Sequence, residues 1–158
     1  MTLKIAVVLV LAFATVVACA AQTEEHMKFS VIGIEYVGES DKPVTPIVIS
    51  ESKAGAAWFR TAVLKRSDLE FTATHVVSVS LMAQLTDRAE SYSNFAQKGK
   101  NPKSRGTISV TVITPERRNT FLLSTEKAVS LLGTFRELCK NDDPLYSDLT
   151  HFQKRIMP

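Results

Sequence analysis

Cys139, Asp148 and His151 are the residues of this chain whose types suit nucleophilic chemistry. A thiol attacks a carbonyl carbon when a histidine takes its proton and a carboxylate orients that histidine. Asp148 and His151 stand three positions apart, so they are neighbours on any helix that contains them. The setting of Cys139 argues against this use. It falls at the C-terminal end of a predicted helix, where the dipole disfavours a thiolate, and Ala128, Leu132, Phe135 and Cys139 recur on one apolar face. A small core hydrophobe is the better reading of that thiol. A thiol hydrolase using Cys139 therefore ranks third among the functional readings, no catalytic residue is assigned, and the chain is expected not to be an enzyme.

Other reaction chemistry finds less support. His26, His75 and His151 are scattered, and none belongs to a close set of ligands at usable spacing, so no metal site and no cofactor are expected. The serines include no Gly-x-Ser-x-Gly elbow. Glu24-Glu25 and Asp142-Asp143 are adjacent carboxylates, which point apart and suit a solvated tether and a helix cap better than acid–base work.

Charge is concentrated in one place. Lys98, Lys100, Lys103 and Arg105 lie in a segment, 97–106, that carries no aliphatic or aromatic residue, with no acidic residue between Glu90 and Glu116 and with Tyr92 and Phe95 just before it. Such a segment suits an acidic protein partner, anionic lipid headgroups or an anionic envelope polymer, and it also suits a solvated connector. Arg117 and Arg118, at a predicted hairpin tip, extend the basic surface if the two loops share one end of the domain. The chain as a whole has 19 Lys and Arg against 16 Asp and Glu, too balanced a composition to imply nucleic acid.

The first residues state where the protein works. Lys4 precedes a run from Ile5 to Val17 that is apolar but for Thr15 and ends in Ala18-Cys19-Ala20-Ala21. The run is shorter than the ~20 residues a bilayer span needs, so it reads as a secretory leader rather than an anchor. Its end fits two cleavage patterns. Ala18-Cys19-Ala20 suits an ordinary signal peptidase, with cleavage near 20–21, whereas Val16-Val17-Ala18-Cys19 resembles the bacterial lipobox, in which cleavage after residue 18 leaves Cys19 to carry lipid. The expected organisation is a leader over 1–18, a tether over 19–26 and a single domain over 27–158. Cys139 is then the domain's one thiol.

The elements that would position these residues follow from hydrophobic period. Alternation predicts strands over Met27–Val37 and Ile47–Ile49, and the aromatic and β-branched run Trp58–Leu64 predicts a third after a small-residue loop, 53–57. Trp58-Phe59 is then core packing at a strand start. A helix beginning near Ser78 or Ser80 runs to Phe95. Ile108, Val110 and Val112 alternate with Thr107, Ser109 and Thr111, and residues 115–119 turn the chain back into 120–123, which is a β-hairpin. Ser124 caps a helix whose stripe is Ala128, Leu131, Leu132, Phe135, Leu138 and Cys139, with Gly133 an anomaly that fits either close approach of another backbone or neutral drift. Asp143 caps a last helix, with Pro144 in its first turn and Leu145, Leu149, Phe152 and Ile156 on one face. The order βββαββαα predicts an α+β domain with a largely antiparallel sheet and helices packed on one face.

In layout the chain looks like the broad class of small exported envelope accessory proteins, which includes inhibitors and immunity proteins. The functional expectation is an exported bacterial lipoprotein of the periplasm, held to the outer membrane through Cys19, that binds a protein partner without catalysis. An envelope structural or anionic-surface-binding component is the alternative. Ala20 stands where an aspartate retains many lipoproteins at the inner membrane, which sets the outer-membrane expectation. Mass spectrometry of the mature protein is expected to find diacylglyceryl-modified Cys19 at the N-terminus; an unmodified terminus at Ala21 or Gln22 overturns lipidation and leaves export standing.

Overall fold

Strand β1, Val31–Val37, places apolar side chains on both of its faces: Val31, Ile32 and Ile34 are all buried, and Phe59 closes over Gly33. A strand of that kind belongs in the middle of a sheet with cover on both sides. The computed structural model, which describes residues 28–37, 44–62, 72–97 and 106–157, puts it there. Five strands lie in the order β3-β2-β1-β4-β5, with β2 at Ile47–Ser50, β3 at Ala73–Val76, β4 at Thr107–Ile113 and β5 at Arg118–Ser124. β1 pairs antiparallel with β2 and β4, and β4 with β5, while β2 and β3 run parallel. The protein is an α+β domain with a mostly antiparallel sheet.

Among the described residues four helices cover this sheet: α1 (Lys53–Ala62), α2 (Val79–Tyr92), α3 (Thr125–Leu138) and α4 (Asp143–Ile156). The sequence of three strands, helix, two strands and two helices is kept, with α1 inserted between the second and third strands. One face of the sheet presents Ile32, Ile34, Ile47, Ile49, Ile108, Val110, Phe121 and Leu123 to the main core, which α2, α3 and α4 complete with Met82, Leu85, Leu131, Leu132, Phe135, Leu149 and Phe152. The opposite face carries a smaller cluster in which Ala56 and Phe59 of α1 meet Val31, Val48 and Ile113. Three helices thus share the expected face. The fourth lies on the other, because β1 and β2 bury apolar residues in both directions.

α1 occupies the segment where composition predicts a loop over 53–57 and a strand at Trp58–Leu64. The chain is helical over Lys53–Ala62, and residues 63 and 64 lie outside the described residues. Ser52 starts the helix: its Oγ accepts a hydrogen bond from Gly55 N at 3.1 Å and its carbonyl one from Ala56 N at 3.1 Å. Ala54, Ala56 and Ala57 favour the helix, and Ala56 and Phe59, three apart, form its buried stripe. Trp58 stays half-buried, tilted against Phe29 at a centroid distance of 6.2 Å. The third strand is β3 instead, whose four residues are too few to display a period.

The other boundaries follow local chemistry. Ser78 Oγ accepts from Leu81 N and Ser124 Oγ from Lys127 N, so both serines cap helices as their positions predict. α2 ends at Tyr92 and continues as one 3-10 turn, Ser93–Phe95. The last cap is Asp142 rather than Asp143: its carboxylate accepts from Leu145 N at 3.2 Å, which leaves Asp143 and Pro144 inside the first turn. Arg136 joins α3 to α4 by donating to Gln153 Oε1 at 2.9 Å and to the Tyr146 hydroxyl at 3.1 Å. Among the described residues no helix is long and apolar enough to cross a membrane.

Two glycines differ in what a methyl group would meet. At Gly33 a Cβ would overlap the tip of the Phe59 ring, which is itself 1 % exposed. At Gly133 a Cβ would meet nothing within 4 Å, so close backbone approach is not the reason for this residue. Gly133→Ala is expected to stabilise the fold by roughly 0.5–1 kcal/mol through helix propensity and a less mobile unfolded chain. Gly33→Ala is expected to cost about 1–3 kcal/mol through overpacking. Urea unfolding of the two variants checks both signs.

Candidate functional site

The last helix carries a chemical group that sequence spacing assigns differently. Asp148 does not orient His151 toward Cys139. Its Oδ2 accepts a hydrogen bond from His75 Nε2 at 2.8 Å, across 73 positions of sequence and from β3 to α4. Because an ionised carboxylate only accepts, the proton of this bond sits on Nε2. The His75 side chain is 10 % exposed and that of Asp148 is 40 %, so Asp148 faces a solvent-open site while His75 stands behind it.

That site is a pocket of about 310 Å³ between the start of β2, the start of β3 and α4. Val44, Ile47, Ala73 and Phe152 supply an apolar floor, while Thr45, Asp148, His151 and Arg155 supply polar groups. Asp148, His151, Phe152 and Arg155 recur at i, i+3, i+4 and i+7, which places all four on one face of α4. Among the described residues, neither His151 nor Arg155 has a hydrogen-bond or ion-pair partner, and both are exposed. Sequence spacing gives His75 no partner because Asp148 is 73 positions away. Asp148, His151 and Arg155 share a helical face that period alone could have shown.

Cys139 lies apart from this chemistry in both position and reactivity. It is the C-cap of α3, it is 1 % exposed, and its backbone N–H donates to Phe135 O at 2.9 Å. Burial, with the Asp142 charge as the smaller contribution, pushes the thiol up to about 11. A thiol so placed stays protonated at neutral pH and packs as a core residue. Among the described residues no group of three or more His, Cys, Asp and Glu side chains is placed to hold a metal ion.

The predicted basic surface divides. Lys98, Lys100, Lys103 and Arg105 lie outside the described residues, but the two ends of their segment are fixed. Gln97 N donates to Leu122 O at 2.9 Å, and Gly106, at a left-handed φ of +85°, donates its N–H to the Tyr36 hydroxyl at 3.3 Å and accepts from Thr125 Oγ1 at 2.8 Å. The Gly106 anchor sits where β4 begins and the Gln97 anchor at the level of Ser109, whereas Arg118 sits where β4 ends, roughly 20 Å along the strand from the first and about 14 Å from the second. Arg117 is further engaged by Glu90 of α2, its Nε donating to Oε1 at 3.1 Å. Arg118 is exposed. The described anchors, Gln97 and Gly106, and the hairpin tip thus stand at different levels of the sheet, and the basic residues between the anchors lie outside the described residues.

Two residues before the Gln97 anchor stands an exposed aromatic ring. Phe95, 53 % exposed, packs edge-on to Tyr92 at a centroid distance of 5.7 Å, and the Lys127 ammonium stands 4.9 Å from the Phe95 ring centre. The Tyr92 hydroxyl is hydrogen-bonded to Ser130 Oγ at 2.7 Å, which fixes the group on α3. No protein-family model matches the chain, and neither a curated protein nor a solved structure matches it.

The buried thiol has a measurable consequence. Below pH 9 the thiol is protonated in folded and unfolded chains alike and leaves stability unchanged; as pH rises from 9.0 toward 11 the unfolded chain loses its proton first. Stability is therefore expected to fall across that window, and Cys139→Ala is expected to flatten the fall. Thiol-reagent labelling should be slow in the native protein at pH 8 and fast in denaturant. Rapid native labelling overturns the structural role.

Proposed function

We propose that the protein is an exported bacterial envelope lipoprotein, tethered to the outer membrane through Cys19 and facing the periplasm, that acts by binding an acidic protein partner and not by catalysis. The observation that carries this reading is the Phe95 group. An aromatic ring stands in solvent with a lysine over its face, immediately before a segment with four cations and no acid. Large aromatics that are held rigidly at a surface are the usual anchors of protein interfaces, and surrounding charge sets the rate and sign of encounter. Tyr92 and Ser130 hold this ring in place before any partner arrives, which lowers the cost of association.

The leader and lipobox residues support the location, since a protein tied by a short tether to the outer membrane meets its partners in the periplasm. The buried, protonated Cys139 supports binding over thiol hydrolysis.

Recovery of the mature protein from its own envelope fraction is expected to bring a stoichiometric protein partner with it. Reversing Lys100 and Lys103 to Glu is expected to slow association several-fold and to weaken its salt dependence, with thermal stability unchanged. Phe95→Ala is expected to raise the dissociation rate by about tenfold. Unchanged kinetics in both variants overturn this reading. Salt-sensitive sedimentation of the unlipidated protein with anionic vesicles, in the absence of a protein partner, favours the anionic-surface alternative.

A further inference from the structure

The pocket on α4 lies in a different part of the fold from Phe95, and its chemistry is of another kind. Its two opposite charges, Asp148 and Arg155, are seven residues apart on one helical face, so their Cα atoms are separated by roughly 10 Å. Helical ion pairs form at three or four residues, not at seven, and no ion pair joins these two. Asp148 is held in one orientation because His75, one-tenth exposed, donates to its Oδ2, and among the described residues Oδ1 has no partner. Arg155 offers its planar fork with no partner among the described residues. His151 lies between them and adds a ring N–H. Beneath these groups Val44, Ile47, Ala73 and Phe152 form an apolar floor.

We propose that this pocket binds a free α-amino acid with an apolar side chain, its ammonium on Asp148 Oδ1, its carboxylate on Arg155 and His151, and its side chain on the floor. Each part of the wall excludes a simpler ligand. A phosphate or sulfate would bring its charge against the Asp148 carboxylate. An amine alone would leave Arg155 unmet, and a fatty carboxylate would leave Asp148 unmet. A zwitterion carries both charges within one small molecule and bridges two groups that no ion pair joins. The volume of about 310 Å³ stands at the lower end of ligand pockets, which selects a molecule of amino-acid size over a larger one. No bond is made or broken; the event is recognition.

The probes are L-leucine, 4-methylpentanoate, which lacks the ammonium, and 3-methylbutylamine, which lacks the carboxylate. Titration of the mature protein, followed by ligand-observed NMR and calorimetry, is expected to show saturable binding of L-leucine and binding weaker by about tenfold or more for each truncated probe, as the loss of one charged hydrogen bond requires. Arg155→Gln, at an exposed position that leaves the fold intact, is expected to weaken L-leucine and 4-methylpentanoate alike. Asp148→Asn keeps an oxygen to accept from His75 and is expected to weaken L-leucine while leaving 4-methylpentanoate unchanged or tighter. No saturable binding of L-leucine to the wild-type protein, equal binding of the three probes, or L-leucine affinity unaltered in Arg155→Gln overturns the proposal. Because none of these variants touches Phe95 or residues 97–106, recovery of the protein partner stays a separate readout.

Discussion

Burial of β1 on both faces is the constraint on which the rest of this structure depends. A strand with Ile32 and Ile34 on one side and Val31 on the other requires a layer above it and a layer below. Three long amphipathic helices supply the first layer. The second is supplied by ten residues of α1, which can approach because Gly33 has no side chain and Phe59 fits over its backbone. β2 and β3 follow from the same arrangement. A chain that leaves β2, crosses the second face as α1 and returns to the sheet arrives parallel to β2, which accounts for the one parallel pair in an otherwise antiparallel sheet.

That crossover also builds the pocket. It delivers Ala73 and His75 to the sheet beside β2 on the face that α4 covers. The His75–Asp148 bond and the apolar contacts of Leu149, Phe152 and Ile156 then hold α4 against β2 and β3, with the pocket at the seam. The Arg136 contacts to Gln153 and Tyr146 fix α4 from its other side, so the helix that bears Asp148, His151 and Arg155 is braced between a strand and a neighbouring helix. Side chains on a braced helix keep their spacing, which a recognition site needs.

The two candidate surfaces differ in physical character. Around Phe95 an exposed ring, on the turn that follows α2, stands beneath the Lys127 ammonium of α3. At the seam of β2, β3 and α4 the groups are concave, both signs of charge are present, and the volume is that of a small molecule. The thiol at the end of α3 belongs to neither, being packed into the core as a small apolar group.

Elements whose signal is local were legible in the sequence. The hairpin, the stripes of α3 and α4 and the caps at Ser78 and Ser124 each rest on residues within a few positions of one another, and the structure shows them where alternation, helical period and capping chemistry place them. Helical period likewise puts Cys139 in the core. The third strand lies elsewhere than composition predicts: Trp58 to Leu64 has the make-up of a strand, whereas Ser52, three alanines and the shape of the surface over Gly33 favour a helix there. That surface is formed by a different part of the chain. The pairing of His75 with Asp148 and the separation of Arg117 from the 97–106 anchors were likewise decided only by tertiary structure, since both depend on where strands lie in the sheet. Helix and hairpin are written in neighbours; a pocket between β2, β3 and α4 exists only once the sheet order brings residues 44–47, 73–75 and 148–155 to the same place.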